Sequence, residues 1–464
     1  MTTPPSEKGG LHAALKYTGI PPSWLEKRPK LPSRNWLIFM SVVGSLTALY
    51  VDDRRKCKQI RNEYIEKVQH LAEVPVFHKD WTRKVTVYSC RYPEDHDHER
   101  SMKYFKKYVK PIFVAAAVDY DIINGNQYGA LASKVADDIK KKRREIAGLE
   151  KSRDQLLHEL QPQTGDRSPT ARRRRELGGG AVIIGRHSLK EYMEGLRRGW
   201  SESMLKRDAE EEFANTLPDD VFDDPLASTV TEASMEGLDS TSSSSSSSPL
   251  SPPVDVVRNR SPLFGQIRQP PVRRPTPASL DVPPAMMPLQ APIGLVPFTN
   301  HIGFKQVPYM IYDFFTERYR VLSGCQAAYA IVMENKRPMT HIDSMVTSND
   351  LDFDRQSERY IKSSWNKLPK RTETAKTDYY KELKDKIKVA RELAYGEREP
   401  TRAERSNPPM TEVELRGQRL KKELKWKDDL EGWEVLSGEV VWDDKFEGAL
   451  EVFVAPTHSS QEEH

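Results

Sequence analysis

The chain has 464 residues, 37% hydrophobic and 30% charged, with a mean hydropathy of −0.69, which excludes a multi-spanning membrane protein and leaves part of the chain outside any packed core. Lys and Arg number 72 against 68 Asp and Glu, and a net charge of +4 argues against a dedicated nucleic-acid binder. Three cysteines, Cys57, Cys90 and Cys325, exclude a disulfide framework and the clustered thiols of a structural zinc site, while 33 clustered prolines point to long linkers.

Residues 1–35 form an amino-terminal tail carrying Pro4, Pro5, Pro21 and Pro22, and they lack the pattern of an Arg-rich amphipathic transit helix. Residues 36–51 then run without a charge and predict a membrane anchor made by Trp36, Leu37, Ile38, Phe39, Met40, Val42, Val43, Leu46, Leu49, Tyr50 and Val51. As a helix the run rises about 24 Å, short of the roughly 30 Å of a hydrocarbon core. Trp36 and Tyr50 suit the two interfaces, and Arg34 and Arg54 can snorkel to the headgroups. A buried core helix is the competing reading, but it should show polar positions at helical spacing. No small-residue cleavage pattern follows the run, so a removed secretory signal fits poorly. Charge does not orient the span: Lys16, Lys27, Arg28, Lys30 and Arg34 balance Arg54, Arg55, Lys56, Lys58, Arg61 and Lys67.

Residues 52–200 read as an α/β domain. Ile60, Tyr64, Val68 and Leu71 make one helical face that continues out of the membrane and stops at Val74-Pro75. Val85–Tyr88 predicts a strand, Arg100–Lys110 a helix with Met102, Phe105 and Val109 inward, and Ile112–Val118 a second strand buried on both faces. Gln127–Ile146 predicts a helix carrying Leu131, Val135 and Ile139, with the basic cluster Lys140–Arg144 on a solvated face. Residues 150–177, including Arg172–Arg175, read as a disordered insertion. Ala181–Ile184 then predicts a strand and Ser188–Trp200 a helix. Alternating strands and helices favour a parallel sheet with crossover helices. Ligands in that class sit beyond the carboxyl ends of the strands, here Cys90–Pro93, Asp119–Asp121 and Gly185–Ser188. None offers a phosphate cradle, and Gly178–Gly180 precedes its strand rather than following it. Asp95–Glu99 could hold a metal, though a solvated turn explains it better. No GxSxG, HExxH, Walker loop or CxxC occurs.

Residues 201–292 begin acidic, pass through Ser242–Ser248 and end Pro-rich, the composition of a disordered linker. Residues 293–464 predict a mainly helical α+β region. Pro308 opens a helix with Ile311, Phe314, Phe315, Tyr319 and Leu322 as an aromatic stripe, read as core or a subunit contact rather than a cofactor box, and Tyr312, Phe315 and Tyr319 are the expected partner surface. Tyr379, Leu383, Ile387, Ala390 and Leu393 mark another helix, and Thr411 with Glu414 fits a capping box. Val435, Val440–Trp442 and Leu450–Val454 suggest short strands around a Ser437-Gly438 turn.

Gly178–Gly195 resembles a degenerate diacylglycerol-kinase-like strand, glycine loop and helix, with Gly185, Arg186 and His187 where that family has its diglycine and aspartate. More extensively, the chain resembles the fungal Tim fifty-four family of mitochondrial inner-membrane carrier-translocase subunits. The likeness rests on PSRNWLIF from Pro32, RNEYIEKVQHLAEVP (Arg61–Pro75), RKVTVY (Arg83–Tyr88), VKPIF from Val109 and LVPFTNHIGFKQVP (Leu295–Pro308). It implies an inner-membrane protein with its tail in the matrix, one span and its bulk in the intermembrane space. It also implies a non-enzymatic role, without cofactor or metal, in inserting carrier proteins. The implied partners are the pore-forming and other membrane subunits, the small intermembrane-space chaperones, the inner-membrane AAA protease and membrane lipid. A membrane-bound lipid phosphotransferase and a plain membrane tether are the alternatives.

Overall fold

In a computed structural model that describes residues 33–73, 83–149, 169–204, 209–218, 221–222, 283–284, 286–341, 349–361 and 365–456, the apolar run opens a single long helix, α1 (Arg34–Ala72). Its first turns, through Leu49, stand clear of the protein. Its second half buries Cys57 and Val68 and lays Ile60, Tyr64 and Leu71 on the core, the face read from the spacing. The tail through residue 32, Val74-Pro75, residues 150–168 and most of the acidic and Ser/Pro-rich linker lie outside the described residues.

The core is a six-stranded sheet of β1 (Lys84–Cys90), β2 (Asp119–Gly125), β3 (Ala181–Ile184), β4 (Ile293–Val296), β5 (Lys336–Pro338) and β6 (Glu451–Phe453), ordered β2-β1-β3-β4-β6-β5. The first five in that order run parallel, and β5 pairs antiparallel with β6. Strand alternation sorts the side chains into two layers. Val85, Val87, Val182, Ile184 and Val296 face α1, the chain from α2 (Arg100–Tyr104) through a π turn (Phe105–Val109) to α3 (Lys110–Ala115), and α9 (Glu317–Val332). Cys90, Ala181, Ile183 and Ile293 face α4 (Ala130–Ile146) and α6 (Gly185–Ser201). Segments expected in separate regions, 52–200 and 293–464, therefore contribute strands to one sheet.

Several local expectations change. Ile112–Val118 is not a strand: Lys110–Ala115 is helical, with Ile112 and Phe113 fully buried and Val114 exposed, the alternation of a helix face. A short apolar run carries no period to separate helix from strand, and Ala117 at φ +55° makes the turn after which β2 begins. The following helix starts at Ala130, not Gln127, because Gly129 stands before it at φ +75°. Its basic cluster is not simply solvated, since Arg143 is buried and donates to the carbonyls of Gly199 and Glu202. Arg173–Arg175 lie on α5 (Pro169–Gly178) rather than in a disordered insertion, and Glu176 there pairs with Lys142.

In the expected linker, α7 (Ala209–Thr216) is helical, and Phe222 and Met287 are buried against later segments. After α8 (Val307–Phe315) and α9, the carboxyl-terminal part is a hairpin of α10 (Lys367–Ala394) and α12 (Glu412–Ser437), with α11 (Arg402–Ser406) between them. Tyr379, Leu383 and Ile387 form its seam with Leu415 and Phe222. The Thr411/Glu414 capping box is present. Val435 lies inside α12, Gly438 ends it, and Val440–Trp442 pack on the core without joining a ladder, so only Glu451–Phe453 of the expected terminal strands forms one.

Candidate functional site

Among the described residues, Arg34–Ala72 is the one helix long and apolar enough to cross a membrane. Trp36, Leu37, Ile38, Phe39, Met40, Val42, Val43, Leu46, Leu49 and Val51 are all exposed, so apolar surface covers every side of the helix; only Tyr50, half-buried, meets the rest of the described chain, where it stacks on Phe314. A soluble core helix would bury one stripe. Thr47 donates to the Val43 carbonyl, so its hydroxyl is satisfied within the helix.

Burial begins immediately beyond the span. Asp53 is 2% exposed, and its carboxylate accepts from the Arg318 amide at 3.4 Å. Arg54 lies over the rings of Tyr50 and Phe314 and pairs with the buried Glu317. Glu317 also accepts from the Tyr108 hydroxyl at 2.5 Å and pairs with Lys107. Burial, with Arg54 and Arg61 nearby, holds Lys107 below the usual ammonium range. A buried carboxylate held by a buried phenol and two part-exposed cations fixes the rotation of α1 about its axis relative to the sheet domain.

The expected aromatic stripe is broken. Thr316 leaves helical dihedrals, separating α8 from α9. Tyr312 and Tyr319 are exposed and Phe315 is half-buried against Phe314, so the three are not one continuous face.

The crevice at the carboxyl ends of β1 and β3, where an order beginning 2-1-3 reverses direction, is filled by the protein itself. Gly185 turns at φ +77° straight into α6, and a Cβ there would meet the His187 ring at 2.7 Å. His187 lies edge-on to Tyr92, contacts Phe298 and bonds the Ser101 hydroxyl at 3.2 Å. Arg186 reaches the Phe353 carbonyl and the Glu358 carboxylate, which Lys190 also holds. The serine–imidazole pair is sealed from solvent, and burial pulls His187 down to about 3, so it serves as packed core. In the Asp95–Glu99 loop, Asp95 takes Asn300 and Arg100 while Asp97 takes Lys103, and no group of three candidate metal ligands forms among the described residues.

The family model described as inner membrane protein import complex subunit Tim54 matches residues 12–395. The chain belongs to the Tim54 family. Relatives from two strains of Cryptococcus neoformans are each 36% identical over 461 residues, 97% of this chain and 96% of the relative. One from Aspergillus oryzae is 38% identical over 180 residues, 37% of this chain and 38% of its own. One from Schizosaccharomyces pombe is 32% identical over 182 residues, 39% of this chain and 49% of its own. All are named mitochondrial import inner membrane translocase subunits, so the Tim54 family belongs to protein transport at the mitochondrial inner membrane.

In this Tim54-family chain the sequence reading missed Asp53, Glu317 and Glu191, which look like ordinary surface acids. The available signal for Glu317 was its place directly after an aromatic helix. Glu191 accepts from the Gly129 and Leu131 amides, both at 3.0 Å, and so caps α4 from the neighbouring helix. Burial pushes it from 4.5 up to about 7. Between those values the folded chain keeps a proton the unfolded chain has lost, so stability falls as pH rises. His187 acts oppositely: between 3 and 6.5 the unfolded chain takes a proton that the folded chain refuses, so stability falls as pH drops. Where the windows overlap the two slopes, each about 1.4 kcal/mol per pH unit, oppose one another. Glu191→Gln removes one of them. On moving from about pH 7 to about pH 5 the variant should lose roughly 2 kcal/mol more than the parent in chemical unfolding of the detergent-solubilised chain. Parallel pH profiles would refute this.

Proposed function

We propose that the chain is a non-catalytic scaffold of the carrier translocase, anchored by residues 36–51 with residues 1–35 in the matrix and the remainder in the intermembrane space. There it supports insertion of multi-spanning carriers beside the pore-forming subunit and offers surface to the small chaperones and the AAA protease. On this reading 52–200 and 293–464 bracket a linker at 201–292 and act as one support. The observation that carries the reading is the locked junction: Asp53, Arg54 and Glu317 couple an exposed apolar helix rigidly to a large α/β body. A support must transmit orientation from membrane to domain.

The lipid phosphotransferase reading would need amides free at the Gly185 turn to approach phosphate. Arg186, His187, Tyr92 and Phe298 occupy that position, which favours the scaffold. Protease added to mitochondria with ruptured outer membranes should degrade everything beyond Val51 while sparing it in intact organelles. Isolation from mild detergent should recover the translocase pore subunit. A carboxyl-terminal part still protected after rupture would overturn the topology, and saturable binding of ATP with magnesium would revive the kinase reading.

A further inference from the structure

The short helix α8 is inverted relative to a soluble surface helix. Its acid, Asp313, turns inward, accepting from His301 at 3.0 Å and pairing with Arg320. Its apolar residues turn outward: Met310, Ile311, Tyr312 and Phe314 are exposed, no residue of the helix is fully buried, and Phe304, just before it, is 93% exposed. A soluble surface helix hides the apolar stripe and shows the acid. The patch is continuous with the end of the membrane span. Phe314 stacks on Tyr50 at 5.2 Å and 16°, and Arg54 covers both rings. Lys305, exposed beside Phe304, and Arg318, stacked on Tyr319, flank the patch with cations.

We propose that α8, with Phe304, lies in the headgroup region of the same bilayer that α1 crosses, as a second, monotopic membrane contact. The span explains the need. Trp36–Val51 rises about 24 Å where roughly 30 Å must be covered. An interfacial helix buries its apolar face about 5–10 Å into the headgroup boundary, the level at which a span this short ends on that side. Tyr50 and Phe314, stacked at the end of the span, set α8 at that depth, and aromatic rings with a polar edge suit it. The chain thus touches the membrane at two points, which holds the sheet domain at a set tilt; this holds whichever complex the chain serves. The surface read from sequence as a subunit contact then belongs to lipid.

The test is made on the full chain reconstituted in phosphatidylcholine–cardiolipin vesicles, where the native cysteines are buried and single cysteines carry an environment-sensitive dye. Phe304→Cys, Ile311→Cys and Tyr312→Cys should give blue-shifted emission, quenched at least twofold more by lipids spin-labelled near the headgroup than by those labelled at the chain end. Val43→Cys should show the reverse depth preference. Tyr395→Cys, exposed at the end of α10, should show neither shift nor quenching. Emission at 304, 311 and 312 matching that at 395 would overturn the proposal. So would a blue shift without lipid quenching, which would mean that a protein neighbour or a second copy covers the patch. The charged variant Ile311→Glu with Tyr312→Glu should leave α1 inserted but lose the quenching at Phe304→Cys; quenching retained there would also count against it.

Discussion

Gly432→Ala is expected to detach the α10–α12 hairpin from the sheet domain. A Cβ at this position would stand 2.1 Å from the Tyr128 carbonyl carbon and 2.4 Å from the Gly129 amide nitrogen, both backbone atoms with no rotamer to yield. Gly129 offers no relief, because it sits at φ +75° with its own open side against the Gly432 Cα. The helix must back away, and what it leaves is costly. Trp433 is 3% exposed, lies edge-on to Tyr128 and Trp365, and donates to the Trp365 carbonyl at 2.8 Å. Lys190 would lose the Leu436 carbonyl at 2.9 Å. A loss of about 3 kcal/mol is expected, at the upper end for overpacking because backbone meets backbone. Tryptophan emission should shift to the red, and protease should release the hairpin early. An unchanged melting temperature with unchanged emission would show that the close approach is not needed.

Glu317→Ala should loosen the joint between α1 and the sheet domain. Its carboxylate holds Arg54, Lys107 and the Tyr108 hydroxyl in a site where only 8% of the side chain is exposed. Removing it leaves two cations facing each other and a phenol without its acceptor. The expected loss of stability is about 1–2 kcal/mol, since the Tyr108 hydroxyl loses its acceptor while water partly screens Arg54 and Lys107, whose side chains are 32% and 56% exposed. Glu317→Gln separates the causes: it keeps an acceptor for Tyr108 but not the charge, so it should fall between parent and alanine variant. The read-out is chemical unfolding of the detergent-solubilised chain. Raised salt should narrow the difference through the exposed part of the network. If glutamine and alanine variants both melt with the parent, the joint is held by packing alone.

Much of the architecture was legible locally. The apolar, uncharged run at 36–51 opens the one candidate membrane-spanning helix among the described residues, and its missing polar stripe matches the exposure of its apolar side chains. The face Ile60, Tyr64, Val68 and Leu71 and the Thr411/Glu414 cap depend only on neighbours within a few turns, and both are present. Ile112–Val118 misled because the run is too short to display a period, and the left-handed turn at Ala117 that ends the helix has no glycine to announce it. Val440–Trp442 misled for a related reason: β-branched and aromatic residues mark burial, and burial here comes from packing on Phe446 and its neighbours rather than from a ladder.

The candidate site was legible only in part. The aromatic residues around Tyr312 stood out as a surface, but which way they face depends on Asp313 being drawn inward to His301, a contact across a loop. Glu317 and Asp53 lie 264 positions apart and only the fold brings both to the end of the span.

The amino-acid order by itself marked the candidate membrane helix, the alternation of strands and helices, and the membership of a translocase family, because these rest on composition and short-range periodicity. The tertiary structure alone decided that β4, β5 and β6 complete the sheet begun by β1, that α8 shows its apolar side outward, and that Glu317 clasps Arg54. Each depends on which distant residue removes a charge or a ring from water, and that partner is chosen by the packing of the whole chain.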